Sequence, residues 1–402
     1  VTVSENPVSV VEAEYRRVYA RLVRSLGDFD VAEDALQDAV SAALIQWPQE
    51  GTPDNPHAWL FRVARFKGID ALRRKGRTTA AEDLEPLAVT NQEELEEIGD
   101  EVLRLIFTCC HPSIGPEAQI ALTLREVCGL TTEEIASAFL VPAPTVAQRI
   151  VRAKTKIREA NIPFEVPSGD EMAARLDAVL RTVYLVFNEG YSASSGEEAI
   201  RRDLVEEAIR LGHLLADVLP EAEVFGLLAL MLLSRSRMGS RMSPEGDIIL
   251  LEDQDRSLWD RRLVDEGAAL VTRALQAGQY GSYTLQAAIS AVHCEAPSYA
   301  ETDYNEIVGL YDALLRVEPS PIVELNRAVA VAMRDGPDAG IALISALLEE
   351  GHLKNYHLAY AARASLYERA ARKDDSLNDY RKALELASNE PERRFMKKKL
   401  GL

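Results

Sequence analysis

The chain has 402 residues, 47% of them hydrophobic, with 64 Asp and Glu against 45 Lys and Arg and a formal net charge of −19. At roughly 100–200 residues per domain, this length suggests two to four domains, each with enough apolar residues for a core. No run of ~18 apolar residues exists, so no membrane span is expected. The segment Val1–Pro7 has neither the basic nor the apolar region of a signal peptide, and the expected location is the cytoplasm. Cys109, Cys110, Cys128 and Cys294 are too few and too irregular for a disulfide framework. An acidic total does not exclude nucleic-acid binding, because phosphate contacts are local and are screened beyond roughly 8–10 Å.

The pattern predicts an all-α protein. Val18, Leu22, Val23, Leu26, Leu36, Val40 and Leu44 carry helical spacing. The stretch Gly27 to Asp30 divides them into two helices, with Asp30 as the expected N-cap of the second. A Pro/Gly/Asp/Asn-rich loop is expected over Pro48 to Pro56, and then a helix over His57 to Arg74. Glu82 to Glu101 is rich in carboxylates and has no Lys or Arg, which reads as a solvated linker, 79–100. A second helical block spans 101–162. After a Pro/Ser/Gly boundary at 163–169, a long helical array fills 168–402. Near its end, Ala328, Val331, Gly340 and Leu347 echo Ala364, Tyr367, Ser376 and Ala383 at a spacing of 36. With Tyr380 and Pro391 this suggests tetratricopeptide-like helical hairpins, whose period is ~34.

The strongest local signal is a helix-turn-helix at 130–158. Thr131-Thr132-Glu133-Glu134 is a capping-box pattern. Val141-Pro142-Ala143-Pro144 supplies the turn, and the next helix packs through Thr145, Val146, Ile150 and Ile157. Its other faces show Gln148, Arg149, Arg152, Lys154, Lys156 and Arg158. A helix entering the major groove needs polar groups for base edges and cations for phosphates. Thr145, Gln148, Arg149, Arg152 and Lys156 are the candidate contacts. The helix at 57–77 adds Arg62, Arg65, Lys67, Arg73, Arg74, Lys75 and Arg77, interleaved with Trp59, Phe61 and Phe66. Cations track phosphates and aromatic faces stack on unpaired bases, although Trp59 also suits a core.

Ala32-Glu33-Asp34-Ala35-Leu36-Gln37-Asp38, Trp59-Leu60-Phe61-Arg62-Val63-Ala64-Arg65 and Ile69-Asp70-Ala71-Leu72-Arg73-Arg74 resemble region 2 of extracytoplasmic-function sigma factors. The helix-turn-helix resembles their region 4. The resemblance implies that region 2, residues 8–78, binds core RNA polymerase through Asp34, Gln37 and Asp38. It also implies that region 2 melts the −10 element through Arg62, Arg65, Phe66, Lys67, Arg73 and Arg74. Region 4, residues 101–162, would read the −35 element. Phe66 departs from the Asn usual at that position, so the family's base preference does not carry over there. Further strings resemble one group of these factors, which has a tetratricopeptide-like C-terminal extension needed for activity. They are Leu105 to Pro112, Tyr184 to Tyr191, Gly226 to Leu233, Asp253-Gln254-Asp255-Arg256-Ser257-Leu258-Trp259 and Leu325 to Ala330.

Cys109-Cys110-His111 lacks the usual two-residue zinc spacing and suits packing better than metal or redox chemistry. Asp247 to Asp255 lacks the alternate oxygens of a calcium loop. Asp253, Gln254, Asp255, Arg256 and Trp259 are instead expected to form a structural or inter-domain motif, with Asp253 or Asp255 paired to Arg256 or a facing arginine. Gly190 is expected to cap a helix C-terminus. No metal, cofactor, small-molecule substrate or enzymatic activity is expected. The expected partners are core polymerase, promoter DNA and an intramolecular contact between the acidic extension and the sigma regions, without a membrane. The alternative is a helix-turn-helix scaffold that binds regulatory proteins through its repeats.

Overall fold

The computed structural model describes residues 6–74, 93–139, 141–168, 170–191, 198–243, 246–387 and 390–402. Among them are eighteen α-helices, three short 3-10 turns and no strand, only an isolated bridge between Met242 and Ile248. The chain divides into two compact units, 1–185 and 186–402.

The first unit begins with α1 (Pro7–Leu26), α2 (Phe29–Glu50) and α3 (Pro56–Arg74), which pack against one another through Val18, Leu22, Leu36 and Leu60, all fully buried. Asn6 caps α1, and Gly27, in the left-handed region at φ 66°, closes it. The N-cap of α2 is Asp28, whose carboxylate accepts from the Asp30 and Val31 amides at 3.1 Å; Asp30 comes two residues too late for that role and is already inside the helix. Pro48 lies inside the last turn of α2, so the expected loop begins only at Gly51. Leu44 is 41% exposed, outside the core its spacing suggested.

The second half of this unit contains α4 (Glu93–Cys109), α5 (Pro116–Glu126), α6 (Thr132–Ala138) and α7 (Ala143–Glu159). Residues 93–100 of the expected linker are therefore helical, and the rest of that linker, with Lys75 and Arg77, lies outside the described residues. The first half of α8 (Asp170–Tyr191) belongs here as well: Arg175 donates to the Phe107 carbonyl at 3.0 Å and Thr182 is buried. The compact unit thus ends at residue 185, whereas the sequence suggested a boundary at 168. Gly190 is still helical inside α8 and does not terminate it. The four cysteines are buried thiols, and burial raises the pKa of Cys109, Cys110 and Cys294.

In the second unit, α9 (Glu198–Val218), α10 (Ala222–Ser236), α11 (Arg261–Gln276), α12 (Ser282–Glu295), α13 (Tyr304–Val317), α14 (Pro321–Asp335), α15 (Pro337–Glu349), α16 (His357–Arg369), α17 (Lys373–Leu386) and α18 (Glu390–Leu400) follow one another. From α12 onward each helix packs chiefly on its chain neighbours, as in a solenoid. Helix α10 is apolar on every side and buried accordingly. Its Glu223 carboxylate accepts from the amides of Gly281, Tyr283 and Thr284 at 2.8–3.0 Å, capping α12. The 36-residue echo is structural: Ala328 and Val331 lie on α14, Gly340 and Leu347 on α15, Ala364 and Tyr367 on α16, Ser376 and Ala383 on α17, and all are buried. A Cβ on Gly340 would sit 2.5 Å from that of Ala332, so the α14–α15 crossing admits only glycine without a shift.

Candidate nucleic-acid interface

The helix-turn-helix is built as its capping box dictates. The Thr131 hydroxyl accepts from the Glu134 amide at 3.2 Å, and the Glu134 carboxylate accepts from the Thr131 amide at 2.7 Å. These bonds hold the Glu134 carboxyl below its ordinary pKa. Ile135 and Ala136 are buried on α6, and Val146, Ile150 and Ile157 are buried on α7. Pro142 is the N-cap of α7, and Pro144 sits in its first turn, where a missing amide proton costs little.

Thr145, Gln148, Arg149, Arg152 and Lys156 succeed one another at steps of one, three or four, which aligns them along α7. Gln148, Arg152 and Lys156 are exposed. Thr145 and Arg149 are half-buried, and the Arg149 guanidinium lies 2.5 Å from the Glu117 carboxylate of α5. Lys154 leaves the basic stripe. Its ammonium sits 2.9 Å from both Glu126 on α5 and Asp30 on α2. Burial opposes its charge, but the two carboxylates outweigh burial and raise its pKa.

On α3 the basic residues form two groups. Arg62, Phe66 and Arg73 are exposed at i, i+4 and i+11, with Phe66 77% exposed. The others are tied to neighbours: Arg65 donates to the Ser25 hydroxyl at 3.1 Å, Lys67 meets Asp38 of α2 at 3.3 Å, and Arg74 meets Asp70 at 3.2 Å. Trp59 is half-buried and packs edge-on against Trp47 at 5.5 Å, and the Arg21 guanidinium lies over Phe61 at 4.3 Å. Both rings therefore anchor the bundle, which leaves Phe66 as the aromatic face on the outside. Asp34, Gln37 and Asp38 are exposed on one side of α2, at i, i+3 and i+4.

Contacts between the two halves of this unit are not apparent from the sequence. Tyr19 of α1 donates to Glu126 of α5, Arg125 meets Glu33 at 2.8 Å, and Arg24 meets Glu101 of α4 at 2.7 Å. Phe29 packs on Phe164 with ring centres 5.6 Å apart. Burial and Glu126 together raise the pKa of Tyr19 well above its ordinary value.

In the extension, the motif at 253–259 is internally bonded. Arg256 donates to the carbonyls of His293 at 2.6 Å and Ala296 at 2.8 Å, and stacks over Trp259 at 4.5 Å. It thereby serves the C-terminus of α12 and does not form the expected pair with Asp253 or Asp255. Asp255 is exposed and accepts from the Ser257 amide at 2.9 Å. Asp253 is exposed in a 3-10 turn. Gln254 bonds Ser240 and the Ile249 carbonyl, and the buried Trp259 donates to the Ser240 hydroxyl at 2.9 Å.

Residues 10–78 match Sigma-70 region 2, 104–157 match Sigma-70 region 4, and 175–275 match a family of unknown function. An uncharacterized protein of Rhizobium meliloti is 42% identical over 94% of this chain and 91% of its own. The probable ECF RNA polymerase sigma factor SigI of Mycobacterium tuberculosis is 28% identical over 40% of this chain, and the ECF RNA polymerase sigma-E factor of Escherichia coli is 33% identical over 25%. Each of these two matches spans 58% of the relative's length. Among the described residues no helix is long and apolar enough to cross a membrane. With region 2 on the first three helices, region 4 on the helix-turn-helix block and a further helical array behind them, the chain belongs to the extracytoplasmic-function RNA polymerase sigma factors, as a member with a C-terminal extension.

Proposed function

We propose that this sigma factor binds core RNA polymerase through Asp34, Gln37 and Asp38. It opens the −10 element with Arg62, Arg65, Phe66, Lys67, Arg73 and Arg74, and reads the −35 element with Thr145, Gln148, Arg149, Arg152 and Lys156. The observation that carries this reading is the exposed stripe of Gln148, Arg152 and Lys156 on a helix that a capping box and a Pro-rich turn present. Amide and guanidinium groups on such a helix suit base edges, and cations along it suit phosphates. Phe66, with Arg62 and Arg73 on the same stripe, suits an unstacked base beside its phosphates.

Promoter engagement then requires a rearrangement. Twenty-five base pairs at 3.4 Å each place the two elements roughly 85 Å apart along the duplex. Lys154, Arg125 and Arg24 tie the two regions together by direct ion pairs. Regions 2 and 4 must part before both elements are held at once.

The extension controls or supports initiation as a tethered module. It holds more than half of the net negative charge, which supports competition with DNA for the basic faces and an intramolecular contact with the sigma regions. The test is in vitro transcription by the full chain and by a chain ending after Tyr191, which keeps the α8 contacts of the first unit. Loss of transcript from the shortened but folded protein is the expected result. Equal transcription would make the extension dispensable, and a rise would make it an inhibitor.

A further inference from the structure

The extension holds a half-open cavity of about 470 Å³, within the 300–1,000 Å³ range of small-molecule sites. Its floor is apolar, from residues such as Ile307, Leu325, Val329 and Leu366 on α13, α14 and α16. Five tyrosines join them: Tyr299, Tyr304, Tyr311, Tyr356 and Tyr380. One wall is the segment Ile248–Glu252, which precedes the Gln254–Trp259 motif. This strap is fastened across the repeats. Glu252 pairs with Arg369 of α16, and Arg394 of α18 donates to the Gly246 carbonyl at 2.9 Å and faces Asp247.

The charge of the lining decides what fits. Of its ionised groups, Glu252 is paired with Arg369, and Glu392 lies 2.9 Å from the His357 imidazole. Burial keeps Tyr304, Tyr311, Tyr356 and Tyr380 protonated, and burial with the nearby Arg237 and Arg256 keeps His293 neutral. An anion entering this space would lose its hydration without an unpaired cation to meet, and a cation would find only the Glu392 carboxylate, which already faces His357. An apolar body would bury surface, while phenol, Asn326 and Ser365 groups satisfy a few polar atoms. A through-running peptide would have to displace the strap, whereas a compact molecule would not.

We propose that this cavity is a binding site for a small, uncharged, mainly apolar molecule carrying one or two hydrogen-bonding groups. The site lies wholly in the extension and goes beyond promoter recognition: it makes the factor a ligand-binding protein as well as a DNA-binding one.

The test uses the full chain and the neutral fluorophore N-phenyl-1-naphthylamine. Saturable binding of one probe per chain is expected. Val329→Trp and Ser365→Phe, which fill the cavity from α14 and α16, should weaken binding more than tenfold, whereas Leu343→Trp outside it should not. Hydrogen exchange of the wild type gives a readout independent of variants: the probe should slow exchange in α14 and α16. Absence of saturable binding, unchanged affinity in both filled variants with native helicity, or protection confined to other helices would each overturn the proposal.

Discussion

Lys154 of the recognition helix lies 2.9 Å from Asp30, 124 residues earlier, and the same ammonium meets Glu126, whose carboxylate is 2% exposed. This joins the helix expected to read DNA to the first turn of the helix expected to bind polymerase. Removing one partner of a buried pair leaves a charge without compensation, which costs about 3–5 kcal/mol. Lys154→Met should therefore lower the stability of the first unit by roughly that amount. Asp30 is 67% exposed, so Asp30→Asn should cost less than about 1 kcal/mol. Urea denaturation of both variants checks the contrast, and a wild-type midpoint for Lys154→Met would contradict it.

Reversing Asp34 and Asp38 should weaken core polymerase binding at least tenfold while leaving helicity intact. Both residues are exposed, and the one ion pair involved, Asp38 with Lys67, is a surface pair worth ~0–1 kcal/mol. Binding of Asp34→Lys/Asp38→Lys to labelled core enzyme is the measurement. Wild-type affinity in the folded double variant would remove these residues from the polymerase interface.

On region 4, Arg149→Ala should cost ~1–3 kcal/mol on the preferred −35 sequence and relax selection at one position. Arg152→Ala and Lys156→Ala should weaken binding to all sequences and each flatten the salt slope. Arg149 must leave Glu117 to reach a base, so Glu117→Gln should preserve specificity. Unaltered promoter selection by Arg149→Ala would shift the reading register along α7.

The extension should lose stability in mild acid. His293 is lowered to about 4, first by burial and then by Arg237 and Arg256, from an ordinary 6.5. Between those values the unfolded chain binds a proton that the folded chain does not, so stability is complete above 6.5 and declines as pH falls towards 4. The full effect is about 3 kcal/mol. Hydrogen exchange in α12 between pH 7 and 5 follows it, and His293→Gln should remove most of this component. An identical pH profile in that variant would contradict the assignment.

Helix periodicity, the capping box and the Pro-rich turn made the all-α fold and the helix-turn-helix legible, because those signals are local. The 36-residue echo likewise marked buried positions of successive hairpins. What stayed hidden depends on distant partners. Nothing near Lys154 in sequence distinguishes it from Lys156, yet tertiary packing buries one against Glu126 and exposes the other. Arg256 stands between acids in sequence but finds carbonyls 37 and 40 residues away. Asp28 and Asp30 are equally good caps by type, and only the backbone turn chooses Asp28.

The most direct measurement is transcription by purified core polymerase on pooled genomic DNA fragments, with the full chain added and transcript 5′ ends sequenced. The expected result is a set of starts, absent with core enzyme alone, that share sequence elements near −10 and −35 and vanish with Asp34→Lys/Asp38→Lys. Starts indistinguishable from those of core enzyme alone, from a folded chain, would contradict a sigma-factor role.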